Sequence, residues 1–201
     1  MVPAAAAALF GDAVGVAEQY TNLLATRGVE WGLIGPREAD RLWERHVLNS
    51  VAVAGHVPQG ALLVDVGSGA GLPGIPLALA RPDVIVTLLE PLLRRATFLV
   101  EVVEELGLAG RVRVVRARAE DHAERYDVVT ARALAPLPRL VGWCAPLLAA
   151  DGVLVALKGD SAADELREAA GVLRRAGLRG RVETVQVHPD VDPTHLVVCT
   201  R

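Results

Sequence analysis

A short apolar run that ends in an aspartate and breaks into alternating glycines constrains this chain more than any other feature. The run is Ala61–Val66, and the stretch at its end is Asp65-Val66-Gly67-Ser68-Gly69-Ala70-Gly71-Leu72-Pro73-Gly74. Glycine alone enters left-handed backbone conformations freely, so such a loop turns sharply and lets a ligand approach the main chain. Each glycine also adds entropy to the unfolded chain, which disfavours a loop that only turns. A strand that passes through a loop of this kind into a helix belongs to an open α/β sheet. Ligands of such sheets bind beyond the carboxyl ends of the strands, and the free amides of the following helix are expected to face an anionic group.

The rest of the chain repeats this alternation. Apolar runs at 61–66, 84–89, 112–115, 126–130 and 153–157 read as strands. Between them, 72–80, 92–106, 137–148 and 162–175 carry helical patterning. Alternation of this kind predicts a mainly parallel sheet with helices on both faces. The last two strands, 182–187 and 195–200, are joined only by a Pro-containing loop, which permits an antiparallel hairpin but no parallel crossover. The expected fold is therefore α/β, a Rossmann-like, mainly parallel seven-stranded sheet with a late antiparallel strand. Two further helices are expected upstream, at 4–27 and 36–54, with Gly28 as a stop and Pro36 in a first turn. Residues 1–58 read as an N-terminal helical extension and 59–201 as the sheet domain.

Composition limits the function classes. With 52% hydrophobic residues and 3% aromatics over 201 residues, a packed core must be built from Ala, Val and Leu. The net charge of −3 gives no overall excess for a polyanionic partner, so nucleic acid would need a local basic face. Lys158 is the only lysine, and the abundant arginines fit an Arg-rich codon usage as well as phosphate binding. Cys144 and Cys199 stand alone, without a disulfide framework or metal-ligand spacing, so no metal is expected. The apolar segment 4–10 is short and lacks a basic flank, which argues against a leader or membrane span. A cytoplasmic, monomeric protein with no membrane role is the expectation.

Two cofactor readings compete for the loop. Gly69-x-Gly71-x-x-Gly74 matches a dinucleotide fingerprint, a weak signal by itself. The earlier start at Gly67 and the Asp65 at the strand end give instead Asp-x-Gly-x-Gly-x-Gly, the form found in methyltransferases. Glu90 ends the second strand, where a carboxylate has two acceptor oxygens for two ribose hydroxyls. That feature supports a ribosyl cofactor without choosing between the two. Ala119-Glu120-Asp121 follows the third strand, where methyltransferases of this fold contact adenine; an ordinary acidic loop explains it equally well.

Residues after the fourth strand face the reacting group in this fold. The segment here is Ala131-Arg132-Ala133-Leu134-Ala135-Pro136. No Asn/Asp-Pro-Pro-aromatic motif occurs, which disfavours methylation of an exocyclic amine. Neither cysteine has the context of a C5-pyrimidine nucleophile. Arg132 cannot serve as a base, so it suits an acceptor that needs none, such as guanine N7. Catalysis then reduces to positioning. Arg132 could hold guanine O6 or a phosphate while leaving N7 open. Arg45, Arg94, Arg95 and Lys158 are candidates for an RNA-contacting rim together with His46. Taken singly, each reads as a solvated surface charge, and His46 as a structural histidine.

Asp65–Ala78, with its Leu72-Pro73-Gly74-Ile75-Pro76 continuation, resembles the bacterial small-subunit ribosomal RNA guanine-N7 methyltransferase family, also called glucose-inhibited division protein B. Arg45-His46-Val47-Leu48-Asn49-Ser50, Arg132-Ala133 and Ala156-Leu157-Lys158-Gly159 match in order and spacing. The likeness runs from about residue 31 to the end of the chain. It implies a class I S-adenosylmethionine-dependent methyltransferase fold after a helical extension, and methyl transfer to N7 of a guanine in 16S ribosomal RNA, as naked RNA or within the small ribosomal subunit. It places Gly67, Leu72, Ala119, Glu120 and Arg132 at cofactor positions, with Gly69 and Gly71 in the same loop. The family's Trp-Asn-x-x-Tyr-Asn-Leu-Thr segment is replaced here by Glu30-Trp31-Gly32-Leu33-Ile34, so no substrate contact is assigned there. A methyltransferase for another substrate, an NAD-dependent oxidoreductase and a non-catalytic cofactor-binding protein are the alternatives.

Overall fold

A computed structural model describes residues 2–201, apart from the side chains of Ala39 and Asp40. Seven strands form one sheet: β1 (Leu62–Val66), β2 (Ile85–Leu89), β3 (Val112–Val115), β4 (Tyr126–Arg132), β5 (Leu148–Lys158), β6 (Arg179–Val185) and β7 (Thr194–Thr200), in the order β3-β2-β1-β4-β5-β7-β6. The first five run parallel, and β7 lies antiparallel between β5 and β6. The short link before β7 is why: it can reverse the chain but not carry it across the sheet.

Side-chain alternation divides the core into two layers. Leu63, Val86, Leu88, Val128, Val155 and Val198 face one side. There they meet the helices α1 (Ala4–Phe10), α2 (Val14–Leu23), α3 (Gly74–Ala80) and α4 (Leu93–Glu105). Val64, Val129, Leu154, Ala156 and Val197 face the other side, against α5 (Leu137–Cys144) and α6 (Ala162–Arg175). Burial on both faces explains why the central strands read as continuous apolar runs. The chain leaves β1 in one direction for β2 and β3, then returns to β4 and β5 on the other side. The strand order therefore reverses between β1 and β4, and a crevice opens at their carboxyl ends.

The upstream helices differ from expectation. The segment 4–27 breaks at Gly11, whose φ of 51° ends α1 and leads through a 3₁₀ turn (Gly11–Ala13) into α2. The segment 36–54 is not one α-helix. It is a 3₁₀ turn (Pro36–Arg41), a π-helical stretch (Leu42–Leu48) and a second 3₁₀ turn (Val51–His56). The wide stretch turns two backbone carbonyls toward β4, as described below. α3 begins at Gly74 rather than Leu72, because the glycine loop occupies the residues between. α5 stops at Cys144, ahead of Pro146. No described helix is long and apolar enough to cross a membrane.

Candidate active site

Gly67, Gly69 and Gly71 all have positive φ, at 70°, 58° and 101°. A Cβ on Gly67 would lie 2.5 Å from Leu134 Cδ1, and one on Gly71 would lie 2.4 Å from Ile75 Cδ1. Gly69 instead faces open space, with nothing nearer than the Gly67 carbonyl oxygen at 3.8 Å. Gly74 is a packing glycine: its Cβ would sit 2.4 Å from Leu88 Cδ2. The buried Asp65 accepts a 3.0 Å bond on Oδ2 from the Gly74 amide. This corrects the expectation that the helix-opening amides face an external anion, since the carboxylate one turn of loop away already occupies that place. Burial pushes the Asp65 carboxyl up to about 7, although the Gly74 bond favours its charged form.

Glu90, also buried, braces the same loop. Its Oε2 accepts from the Gly69 amide and its Oε1 from the Leu92 amide, both at 3.0 Å. Each oxygen keeps a further lone pair. Beside Glu90 lies a cleft of about 340 Å³, lined by Gly67, Leu89, Ala119, Glu120 and Trp143 among others. A second cavity of about 330 Å³ shares Gly67, Arg95 and Leu134 with it and is also lined by Ser68, Gly69, Leu72 and Arg132. A third of about 830 Å³ follows, between Arg45, His46, Lys158 and Glu165. Leu134 lines all three, and His46, Arg132 and Ala133 line the second and third. Ala133 has a φ of 49°. A side-chain-bearing residue held there stores about 1–3 kcal/mol of strain, a common mark of functional loops.

Arg132 stands at this junction with its terminal nitrogens engaged. Nη1 donates to the His46 carbonyl at 3.0 Å and to Ser50 Oγ at 3.4 Å. Nη2 donates to the Arg45 carbonyl at 2.6 Å and meets His46 Nδ1 at 2.8 Å. The π-helical stretch supplies both carbonyls. Five N–H donors belong to a guanidinium, so Nε–H is the one not used in these bonds. A fork of two terminal donors onto guanine O6 or a phosphate would require Arg132 to leave this position.

The other basic candidates separate by environment. Lys158 is turned inward, 8% exposed, with Nζ at 2.8 Å from the Ala135 carbonyl and 2.7 Å from Glu165 Oε2. It ties the loop after β4 to α6 and forms a wall of the large cavity. Arg95 lines the first two cavities, beside Glu90 and the glycine loop. Arg94 lies with its guanidinium 5.8 Å from the Trp31 ring centre. Arg45 is exposed at the large cavity, 3.4 Å from Glu38 Oε1. Gly71 lies behind the loop, packed on Ile75, rather than on a cavity wall.

Some contributors escape sequence reasoning. Tyr20, fully buried on α2, donates its hydroxyl to the Ala70 carbonyl at 3.0 Å and so holds the loop from outside the sheet. Leu134 and Trp143 carry no motif. Both cysteines are buried, and burial pushes their thiols upward, that of Cys199 to about 12, so neither is a nucleophile at neutral pH.

A family model described as GidB, rRNA small subunit methyltransferase G, matches residues 14–190. The ribosomal RNA small subunit methyltransferase G of Salinispora tropica is 56% identical over 181 residues, covering 86% of this chain and 75% of its own length. That of Corynebacterium jeikeium is 49% identical over 205 residues, covering 99% and 91%. Among solved structures, M. jannaschii TYW2 in complex with AdoMet superposes with a TM-score of 0.56 at 17% identity, over 77% of this chain and 74% of that one. At that identity the likeness concerns the fold, a class I methyltransferase sheet.

Proposed function

The chain belongs to the rRNA small subunit methyltransferase G family, and from this premise we propose that it moves a methyl group from S-adenosylmethionine to N7 of a guanine in 16S ribosomal RNA. One observation carries the reading. Three cavities lie side by side along the carboxyl edge of the sheet and Leu134 lines all of them, so a cofactor lying in two of them would present its reactive centre to the third.

The residues fit that cofactor. The cleft at Glu90 pairs an apolar slot (Val66, Leu89, Trp143) with a carboxylate, which suits an adenine and its ribose hydroxyls. Ala119 and Glu120 stand at the adenine end, and Gly69 leaves room along the loop for the methionine portion. Bound there, S-adenosylmethionine would supply a methyl group on a sulfonium, whose sulfur keeps the bonding pair as the new N–CH₃ bond forms. The chain's part is to bind, to orient and to exclude water. N7 carries no proton, so no general base is required, and among the described cavity residues Arg132 fixes a positive charge at the junction instead. With no proton to move, rate comes from alignment, and such positioning is worth several orders of magnitude. The large cavity has the volume for a nucleotide drawn out of its RNA context. In this reading Arg45 and Arg94 meet phosphate.

The test is transfer of a tritiated methyl group to small ribosomal subunits that lack the modification, followed by nucleoside analysis. Label in 7-methylguanosine of 16S RNA is expected. Label in any other nucleoside would refute the N7 assignment.

A further inference from the structure

Arg132 does not reach its position unaided. Its Nη2 donates toward His46 Nδ1 at 2.8 Å, and a guanidinium can only donate. His46 Nδ1 is therefore an unprotonated acceptor. The ring proton of neutral His46 must then sit on Nε2, which faces Glu38 Oε2 at 2.9 Å. Chemistry alone fixes one tautomer along the chain Arg132 → His46 → Glu38. The charged groups facing the imidazole are Arg132 from the end of β4, Glu38 from the preceding 3₁₀ turn and Arg45 from its own stretch. Burial and the Arg132 charge hold His46 below the usual imidazole range, while Glu38 opposes them. The bond to His46 in turn holds Glu38 below the usual carboxyl range.

We propose that His46 and Glu38 are positioning residues: neutral His46, oriented by Glu38, holds the Arg132 guanidinium where the cofactor cleft meets the large cavity, and protonation of His46 loosens it. A proton on Nδ1 would point an N–H at an N–H and set two cations against each other. The three remaining acceptors, two carbonyls and the Ser50 hydroxyl, would still hold Arg132 but would no longer fix its plane. The proposal rests on the reading of Arg132 as part of the methyl-transfer site.

Two measurements decide it. The first needs no turnover. ¹⁵N shifts of the His46 ring in the cofactor-free protein at pH 7.5 should show an acceptor-type Nδ1 and a protonated Nε2, and the opposite tautomer or a doubly protonated ring would overturn the proposal. The second is the pH profile of kcat for methyl transfer to small subunits, with thermal melts to confirm folding. His46→Ala should lower kcat about tenfold or more. His46→Asn places an amide oxygen where Nδ1 stands; it should recover most of that loss and abolish the His46-dependent acid limb. Glu38→Gln removes the nearby negative charge and should move the limb to lower pH. An acid limb unchanged in both His46→Asn and Glu38→Gln would overturn the proposal. Should the wild type transfer no methyl group to RNA, the functional reading would fall, and the ring nitrogen shifts would still decide the relay.

Discussion

Three glycines in one loop share a left-handed backbone for different reasons, and the difference is measurable. Gly71 is packed against Ile75 and Tyr20, whereas Gly69 opens onto the cavity. Gly71→Ala should therefore cost stability through overpacking, by about 1–3 kcal/mol. Gly69→Ala should cost only about 1–2 kcal/mol of backbone strain yet weaken S-adenosylmethionine binding more than any other single change in the loop. Calorimetric titration beside thermal melts separates the two. Asp65 gives a pH signature. Its ordinary value is 3.8 and burial raises it to about 7, so the folded state binds more protons than the unfolded one between those values. Stability should then fall as pH rises from about 4 to about 7 and level off above. Asp65→Asn should flatten this slope, read as unfolding midpoints in denaturant across that range. Of these residues the glycines are legible because alternating glycines after an apolar strand mark a ligand-binding loop. The pairing of Asp65 with the Gly74 amide is not, since it depends on where α3 begins.

At the scale of elements, the sheet and the presence of N-terminal helices are readable, and the irregularity of those helices is not. Strands buried on both faces announce themselves as apolar runs, and the short link before β7 dictates its direction. The upstream helices were expected as two regular rods. Gly11 interrupts the first, and the second widens at Leu42–Leu48 to aim the Arg45 and His46 carbonyls at Arg132. Hydrophobic periodicity cannot reveal such a departure, because α and π turns bury similar residues over so short a span. The contribution of α2 is likewise invisible in sequence: Tyr20 and Ala70 are 50 positions apart. Tyr20→Phe leaves the Ala70 carbonyl without this donor and should destabilise the protein by about 1 kcal/mol. It should also raise the Kd for S-adenosylmethionine severalfold with the fold intact, as titration and circular dichroism would show. Unchanged affinity would mean the loop needs no external support.

For the molecule as a whole, one sheet edge gathers the site from distant stretches of sequence. β1 brings the glycine loop, β2 brings Glu90, the turn after β3 brings Ala119 and Glu120, and β4 brings Arg132. The N-terminal segment closes the edge with His46 and Tyr20. With a net charge of −3, RNA as the proposed substrate calls for a local basic face, and Arg27, paired with Glu101 and Glu105, and Arg81, paired with Asp83, do not contribute to it. The chain's only lysine, Lys158, one of the four basic residues expected at an RNA-contacting rim, bonds the Ala135 carbonyl and Glu165 within the wall of the large cavity. The central claim is that the cofactor lies along β1 and β2 with its reactive end at the junction held by Arg132 and Leu134. A crystal structure with S-adenosylhomocysteine tests it most directly. The ribose should lie on Glu90, the adenine beside Ala119 and Glu120, and the sulfur should open toward the cavity between His46 and Arg132. A ligand bound in the opposite orientation, or an adenosine seated anywhere else, would contradict it.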